Sequence, residues 1–215
     1  VNRKIIKDNK WKNLFSDFSC FIIGCSPSVL DLNLNLLSNS FTIGINNVLP
    51  LIDPYLLIWQ DYEFWHDHHL AIQKSKSIKI CHAKADPLGL FFNFDINETK
   101  LEVADNPSIL MGKSTTGVMS VQFAHSLGFK KMYLIGMDCC VRNGQTDWFG
   151  ENKRWKSHTL EMCNRGLEWI SAHYEHKIKL INSSELLQDV IEKDHSHIVS
   201  RNTVSDLIKV GKRDS

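Results

Sequence analysis

Cys20-Phe21-Ile22-Ile23-Gly24-Cys25-Ser26-Pro27-Ser28, running on into Val29-Leu30-Asp31, decides how the rest of the chain is read. Cys20 to Ile23 is an unbroken apolar run of strand length, and it stops abruptly in small residues. A strand that ends this way and turns into a helix start exposes backbone N–H groups. With the positive end of a helix dipole, such groups suit a phosphate. Pro27 fits a first helical turn, where no N–H is required, and Ser26 or Ser28 can cap it. Within Cys20–Ser28 only Gly24 is a glycine, so the three-glycine dinucleotide fingerprint is absent. The alternative is an ordinary strand-to-helix turn without a ligand.

The same pattern recurs outward from this turn. Phe41 to Asn46 and Tyr55 to Gln60 are two more apolar runs, the second followed by Asp61. Parallel strands covered on both faces read as continuous apolar runs, and ligands gather at their carboxyl ends. Gly24, Asn46, Gln60 and Asp61 are therefore where function is sought. Tyr62 to Lys74 predicts a helix and Ser77 to Cys81 a fourth strand. Lys84 to Ser114 is broken by Pro87, Gly89, Asn93, Asn97, Asn106, Pro107 and Gly112, so it reads as a long irregular loop. Thr115-Thr116-Gly117 opens a helix through Leu127, and Lys131 to Gly136 is a strand ending in Met137-Asp138. A second loop over 139–157 leads to His158, which begins an amphipathic helix with Leu160, Cys163, Leu167 and Ile170 on one face. Lys177 to Asn182 is a last strand, followed by a short helix through Ile191.

Strands alternating with helices predict an α/β, doubly wound, Rossmann-like and mostly parallel sheet. The expected organisation is an edge helix over 1–18, one Rossmann-like domain over 19–192 with 84–114 and 139–157 as lid loops, and a C-terminal tail over 193–215 that is loose or forms a short exposed helix. At 215 residues a sizeable core is available. A net charge of +1 supplies no long-range field for nucleic acid, while a small phosphorylated ligand needs only local donors. The six cysteines form no C-x-x-C pair and suit a reduced, cytoplasmic setting. No secretory leader and no run of membrane-spanning length is visible, and the chain opens on Val1, as a fragment or a processed chain would. A homo-oligomer is compatible with all of this.

His158 is the candidate catalytic residue, since an imidazole at a helix start can take a proton from a hydroxyl nucleophile; a surface histidine is the plainer reading. Asp61 and Asp138 each follow a strand and could bind a ribose hydroxyl, position a substrate, hold Mg²⁺ or simply cap a turn. Thr115, Thr116 and Gly117 offer hydroxyls and N–H groups to an anion, or merely cap their helix. His66-Asp67-His68-His69 names too few converging ligands for a zinc site, and a solvated helix face suffices. Trp59, Trp65, Trp148 and Trp155 could stack on a base or sugar, although packing explains them equally. No metal site is expected.

Three segments in order resemble the bacterial sialyltransferases that use CMP-sialic acid. Ile22 to Leu30 resembles their opening "IIAGNGPSL". Thr115 to Asp138 resembles "TSGV…A…LGYKEIYLSGID", and His158 precedes Arg165-Gly166-Leu167-Glu168-Trp169-Ile170 as their catalytic histidine precedes "KALEFL". The resemblance covers most of Phe21 to Leu187 and is thin through 62–113. It implies a nucleotide-activated sugar as donor, a glycan or small-molecule acceptor, His158 as general base and no cofactor. It further implies Gly24, Cys25, Ser26, Pro27 and Ser28 beside the nucleotide phosphate and ribose, Asn46 and Gln60 on the donor, and Thr115, Thr116 and Gly117 along the sugar. Cys25 and Ser26 stand where the family has Asn and Gly, and Trp148, Phe149 and Trp155 replace its loop tyrosines. The chain also resembles the 6-hydroxymethylpterin diphosphokinase MptE-like family, through its "GPSL"-type turn, Asp61 and Gly136-Met137-Asp138. That resemblance implies Asp61 and Asp138 handling a Mg²⁺–nucleotide.

Overall fold

A computed structural model describes residues 4–6, 11–112, 114–139, 141–150 and 158–210. Its strands are β1 (Lys4–Ile5), β2 (Cys20–Ile23), β3 (Thr42–Ile45), β4 (Leu56–Trp59), β5 (Ile78–His82), β6 (Phe92–Asn97), β7 (Ile109–Met111), β8 (Met132–Ile135) and β9 (Ile178–Ile181). The helices are α1 (Tyr62–Lys74), α2 (Thr116–Ser126), α3 (Thr159–Tyr174), α4 (Ser184–Lys193) and α5 (Arg201–Val210). Among the described residues the nine strands form one sheet in the order β1-β6-β5-β4-β3-β2-β8-β9, with β7 beside β6. Every pairing is parallel.

The chain steps outward from β2 to β6 and then returns to lay β8 on the other side of β2. The direction of winding therefore reverses between β2 and β8, and the crevice at their carboxyl ends is the topological switch point of the sheet. The α/β Rossmann-like reading holds. Alternation along each strand builds two apolar layers. Ile22, Ile43, Ile58, Ile80 and Leu134 pack with α2, α3 and α5 on one face. Phe21, Ile23, Leu57, Trp59, Cys81, Tyr133 and Ile135 pack with α1 and α4 on the other. Buried on both faces, these strands needed the continuous apolar runs that the sequence supplies.

Three expected segments differ. Lys84 to Ser114 is not a long irregular loop, because it carries β6 and β7. A buried glutamine on α2 holds β7 in place: Gln122 accepts from the Met111 N–H at 2.9 Å and donates to the Met111 carbonyl at 2.8 Å. The expected edge helix is replaced at Lys4–Ile5 by a strand parallel to β6, and its residues 7–10 lie outside the described residues. Further along, Trp11 and Phe15 are buried in the core rather than resting on an edge.

Over its described residues the tail is not loose: it carries the short helix α5, which is packed rather than exposed. The Phe41 N–H donates to the His197 carbonyl at 2.8 Å and the Ser19 N–H to the Ser196 carbonyl at 3.1 Å. The Tyr55 hydroxyl donates to the Val199 carbonyl at 2.6 Å. Arg201 reaches the Asp53 and Pro54 carbonyls and lies 4.7 Å from the centre of the Tyr55 ring. Val204 and Ile208 of α5 are buried in the core. The segment thus closes the amino-terminal edge of the sheet, opposite the ends that carry the candidate site.

Candidate active site

The turn after β2 and the turn after β8 are built as a unit. The Gly24 N–H donates to the Ile135 carbonyl at 2.8 Å and the Ser26 N–H to the Gly136 carbonyl at 2.9 Å. Ser26 Oγ accepts from the Cys139 N–H at 3.3 Å, and the Ser28 hydroxyl donates to the Asp138 carboxylate. Pro27 to Asp31 forms a short 3-10 turn with Pro27 in its first turn, where an α-helix start was expected, and Ser26 makes no side-chain cap. Both serine hydroxyls instead fasten this turn to the β8 side of the switch point. Gly136 has a φ of +59°, a conformation glycine adopts without penalty.

A cavity of about 780 Å³ opens over the carboxyl ends of the strands. That size suits a small-molecule ligand. Gly24, Cys25, Ser26, Asn46, Gln60, Asp61, Thr115, Thr116 and Gly117 all line it. Pro27, Ser28, Asp138 and Trp148 do not line it, and neither does His158. Trp148 packs just behind the wall, its N–H donating to the Cys25 carbonyl at 2.8 Å and its indole to the Asn47 carbonyl at 3.1 Å. His158 is exposed at the N-cap of α3, one residue before Thr159, which does line the cavity. Trp59 and Trp65 are core residues, and Trp155 lies outside the described residues.

Three polar features give the cavity its chemistry. Thr115 caps α2 through its side chain, so the start of a buried helix faces the strand ends. Gln60 donates from one amide to the Ser114 carbonyl at 3.2 Å and to Thr116 Oγ1 at 3.1 Å, tying the end of β4 to that helix start. Asn46 sits in the left-handed region with φ +49°, and its Oδ1 is buried with no hydrogen-bond partner among the described residues. An unsatisfied buried acceptor costs about 1–3 kcal/mol, which a donor on a ligand would recover. Asp61 occupies the N-cap of α1 without making a side-chain cap bond.

The strand-end argument passed over several lining residues. His82 is the last residue of β5 and meets the same rule that singled out Gln60. Burial, with the Lys84 charge, pushes its imidazole below the ordinary value against the pull of Asp95, Glu98 and Asp61. Asp147 is a buried carboxylate in the wall, and no local pattern marks it. Cys139 and Cys163 also line the cavity, although Cys163 reads in sequence as part of a core stripe. Burial, helped by the Asp147 charge, pushes the Cys25 thiol up to about 12, and its Sγ donates to the Ile45 carbonyl at 3.4 Å. His68 faces the cavity from α1, while His66 bonds to Asp67 and His69 to the His66 carbonyl. Among the described residues no group of three His, Cys, Asp or Glu is arranged to hold a metal ion. No described helix is long and apolar enough to cross a membrane.

The fold and the cavity define an α/β protein of Rossmann-like architecture with a pocket at its switch point. No protein-family model matches the chain, and no curated protein matches it. Among solved structures it is similar to the sialyltransferase CstII from Campylobacter jejuni in complex with cytidine-5'-monophosphate, at 17% identity and a TM-score of 0.45 over 76% of this chain and 79% of that one. It is also similar to CstII in complex with CMP-3FNeuAc, at 14% identity and a TM-score of 0.44 over 77% and 81% of the two chains. For CST-II in complex with a trisaccharide acceptor and CMP the values are 15% and 0.43, over 76% and 81%.

Proposed function

We propose that this protein is a glycosyltransferase-like enzyme that moves a sugar of the sialic acid type from a CMP-activated donor to an acceptor hydroxyl. The observation that carries the reading is the Asn46 Oδ1 left without a partner among the described residues in a switch-point cavity, next to a capped helix start and the Gly24–Ser26 turn. A nucleotide sugar supplies hydroxyl and amino donors for Asn46, and a phosphate suits the start of α2.

In this reading Gly24, Cys25 and Ser26 approach the phosphate and ribose, Asn46 and Gln60 hold the donor, and Thr115, Thr116 and Gly117 flank the sugar. The acceptor oxygen attacks the anomeric carbon in line while its bond to the phosphate oxygen breaks. His158 takes the hydroxyl proton, and the nucleotide leaves with the bonding electrons. The test is thermal stabilisation by CMP, a CMP-sugar and ATP, each with and without Mg²⁺, because a ligand that binds only the folded form must raise Tm. Stabilisation by CMP and CMP-sugar without Mg²⁺, followed by turnover on a glycan acceptor, is expected. A response to ATP with Mg²⁺ alone would replace it with diphosphate transfer, and tight CMP-sugar binding without turnover would leave a binding protein.

A further inference from the structure

A second cavity, of about 370 Å³, lies away from the switch point, beside the amino-terminal ends of β8 and β9. Four lysines, Lys131, Lys177, Lys179 and Lys193, line it against two carboxylates, Asp189 and Asp194. Strand register builds this wall. In the parallel pair of β8 and β9, Tyr133 stands beside Lys179. Side chains alternate, so Tyr133, Lys179 and Ile181 share one face, and Lys131, two residues before Tyr133, comes to it as well. Tyr133 and Ile181 pack on that face with Leu187 and Val190 of α4. The lysines stand exposed beside this packed patch.

Both carboxylates are engaged within the protein. Asp189 pairs with Lys193. Asp194 accepts from the Tyr133 hydroxyl at 2.5 Å, the Ser196 hydroxyl at 2.6 Å and the Ser196 N–H at 2.9 Å. Lys177 Nζ reaches His125 Nδ1 at 3.4 Å. Lys131 and Lys179 have no ion pair and no side-chain hydrogen bond among the described residues.

We propose that Lys131 and Lys179 form a binding site for a phosphate-bearing ligand, separate from the switch-point cavity. Neighbouring strands lie about 4.8 Å apart and two residues rise about 6.6 Å, so the two Cα atoms stand about 8 Å apart on the diagonal. Lysine stems span that gap, and both ammonium groups can meet on one group. A phosphate monoester carries about −1.5 to −2 charge at neutral pH and matches two ammonium groups, whereas a carboxylate matches one. Lysine binds phosphate as a point charge and needs no planar fork to do so. The plainer role for lysines on the last strand of a sheet is to discourage pairing with another chain, and that role needs no ligand. None of this depends on which ligand the switch-point cavity takes.

The test is lysine footprinting: the whole chain is treated with a little sulfosuccinimidyl acetate, and peptide mass spectrometry follows the acetylation rate at each lysine. Glycerol 3-phosphate is the probe, with sodium chloride at equal ionic strength as the control. Glycerol 3-phosphate is expected to slow Lys131 and Lys179 several-fold, to leave Lys76 unchanged, and to do what chloride does not. A parallel arm uses phosphatidylcholine vesicles with and without phosphatidic acid. Protection by the soluble ester assigns the phosphate to a free ligand, and protection by phosphatidic acid vesicles alone assigns it to a lipid headgroup. In Lys179→Gln, a change at an exposed position, the protection of Lys131 should be lost. No protection in either arm, equal protection by chloride or by phosphatidylcholine alone, equal protection at Lys76, or undiminished protection of Lys131 in Lys179→Gln would each overturn the site.

Discussion

Gly24 and Gly136 face each other across the junction of β2 and β8, with no room for a side chain on Gly24 and a tight fit for one on Gly136. A Cβ on Gly24 would collide with the Gly136 carbonyl oxygen and come within 2.8 Å of Met137 Cγ. One on Gly136 would lie 3.0 Å from Val29 Cβ and 3.1 Å from the Gly24 carbonyl oxygen. The two turns that make the floor of the cavity can approach only because both residues are glycines. Gly24→Ala is therefore expected to destabilise the protein by about 1–3 kcal/mol, since backbone and not a flexible side chain must move. Urea unfolding measures it, and a midpoint equal to wild type would show that the two turns do not approach so closely.

Asn46 separates ligand binding from stability. Its left-handed backbone suits glycine at least as well as asparagine, and its buried Oδ1 has no partner to lose among the described residues. Asn46→Gly should leave Tm unchanged or slightly raised. If the carbonyl accepts from the ligand, affinity should fall about tenfold, the loss of roughly 1.4 kcal/mol. Calorimetric titration against whichever nucleotide stabilises the wild type checks both. An unchanged Kd removes Asn46 from the binding groups.

Much of this architecture was legible in the sequence, for a physical reason. Strands such as Phe21–Ile23, Leu56–Trp59 and Met132–Ile135 are covered on both faces, so their apolar runs are continuous and end where ligands collect. β6 escaped because Asn93 sits buried within it, its amide donating to Asp86 and to the Cys81 sulfur, so a polar residue interrupts the pattern. β7 is three residues long and exists through β6 and Gln122. α5 carries Val204, Leu207 and Ile208 at helical spacing, but charged residues dilute the stripe, and no local signal announces the Tyr55–Val199 bond that anchors it. The same division applies to the cavity. Gly24, Asn46 and Gln60 are found by the strand-end rule, whereas Asp147 and Cys163 arrive from a loop and a helix face through tertiary packing alone.

His197 sets an acid limit to stability. Both ring nitrogens are buried without partners among the described residues, and the ring meets Phe21 edge-on at 5.1 Å. Burial, with His195, pushes its imidazole below 6.5 against the Asp194 charge. A folded value below the unfolded one means that the unfolded chain binds the proton first. Stability is then full above about pH 6.5 and is lost as pH falls toward the folded value. His197→Phe removes one titrating group, so its stability should fall less steeply, by up to about 1.4 kcal/mol per pH unit for one proton. Chemical denaturation of both proteins between pH 7.5 and 5.5 measures the slopes, and parallel curves would mean that His197 takes its proton freely in the folded state.

Two imidazoles compete for the part of general base, and their positions make opposite predictions. His158 is exposed at the start of α3 beside the cavity-lining Thr159, whereas His82 lines the cavity at the end of β5. If His158 takes the acceptor proton, His158→Ala should lower kcat by about 10²–10⁴-fold and leave nucleotide affinity near wild type, because the base touches the acceptor and not the donor. His82→Ala should then cost far less in kcat. The reverse pattern would give the role to His82. Its lowered value supplies a second readout: a His82 base stays neutral further into acid than an ordinary imidazole, so kcat/KM would hold to correspondingly lower pH. Full activity in both single variants would reject both of them and turn attention to His68 and to the carboxylates of the wall, Asp61 and Asp147.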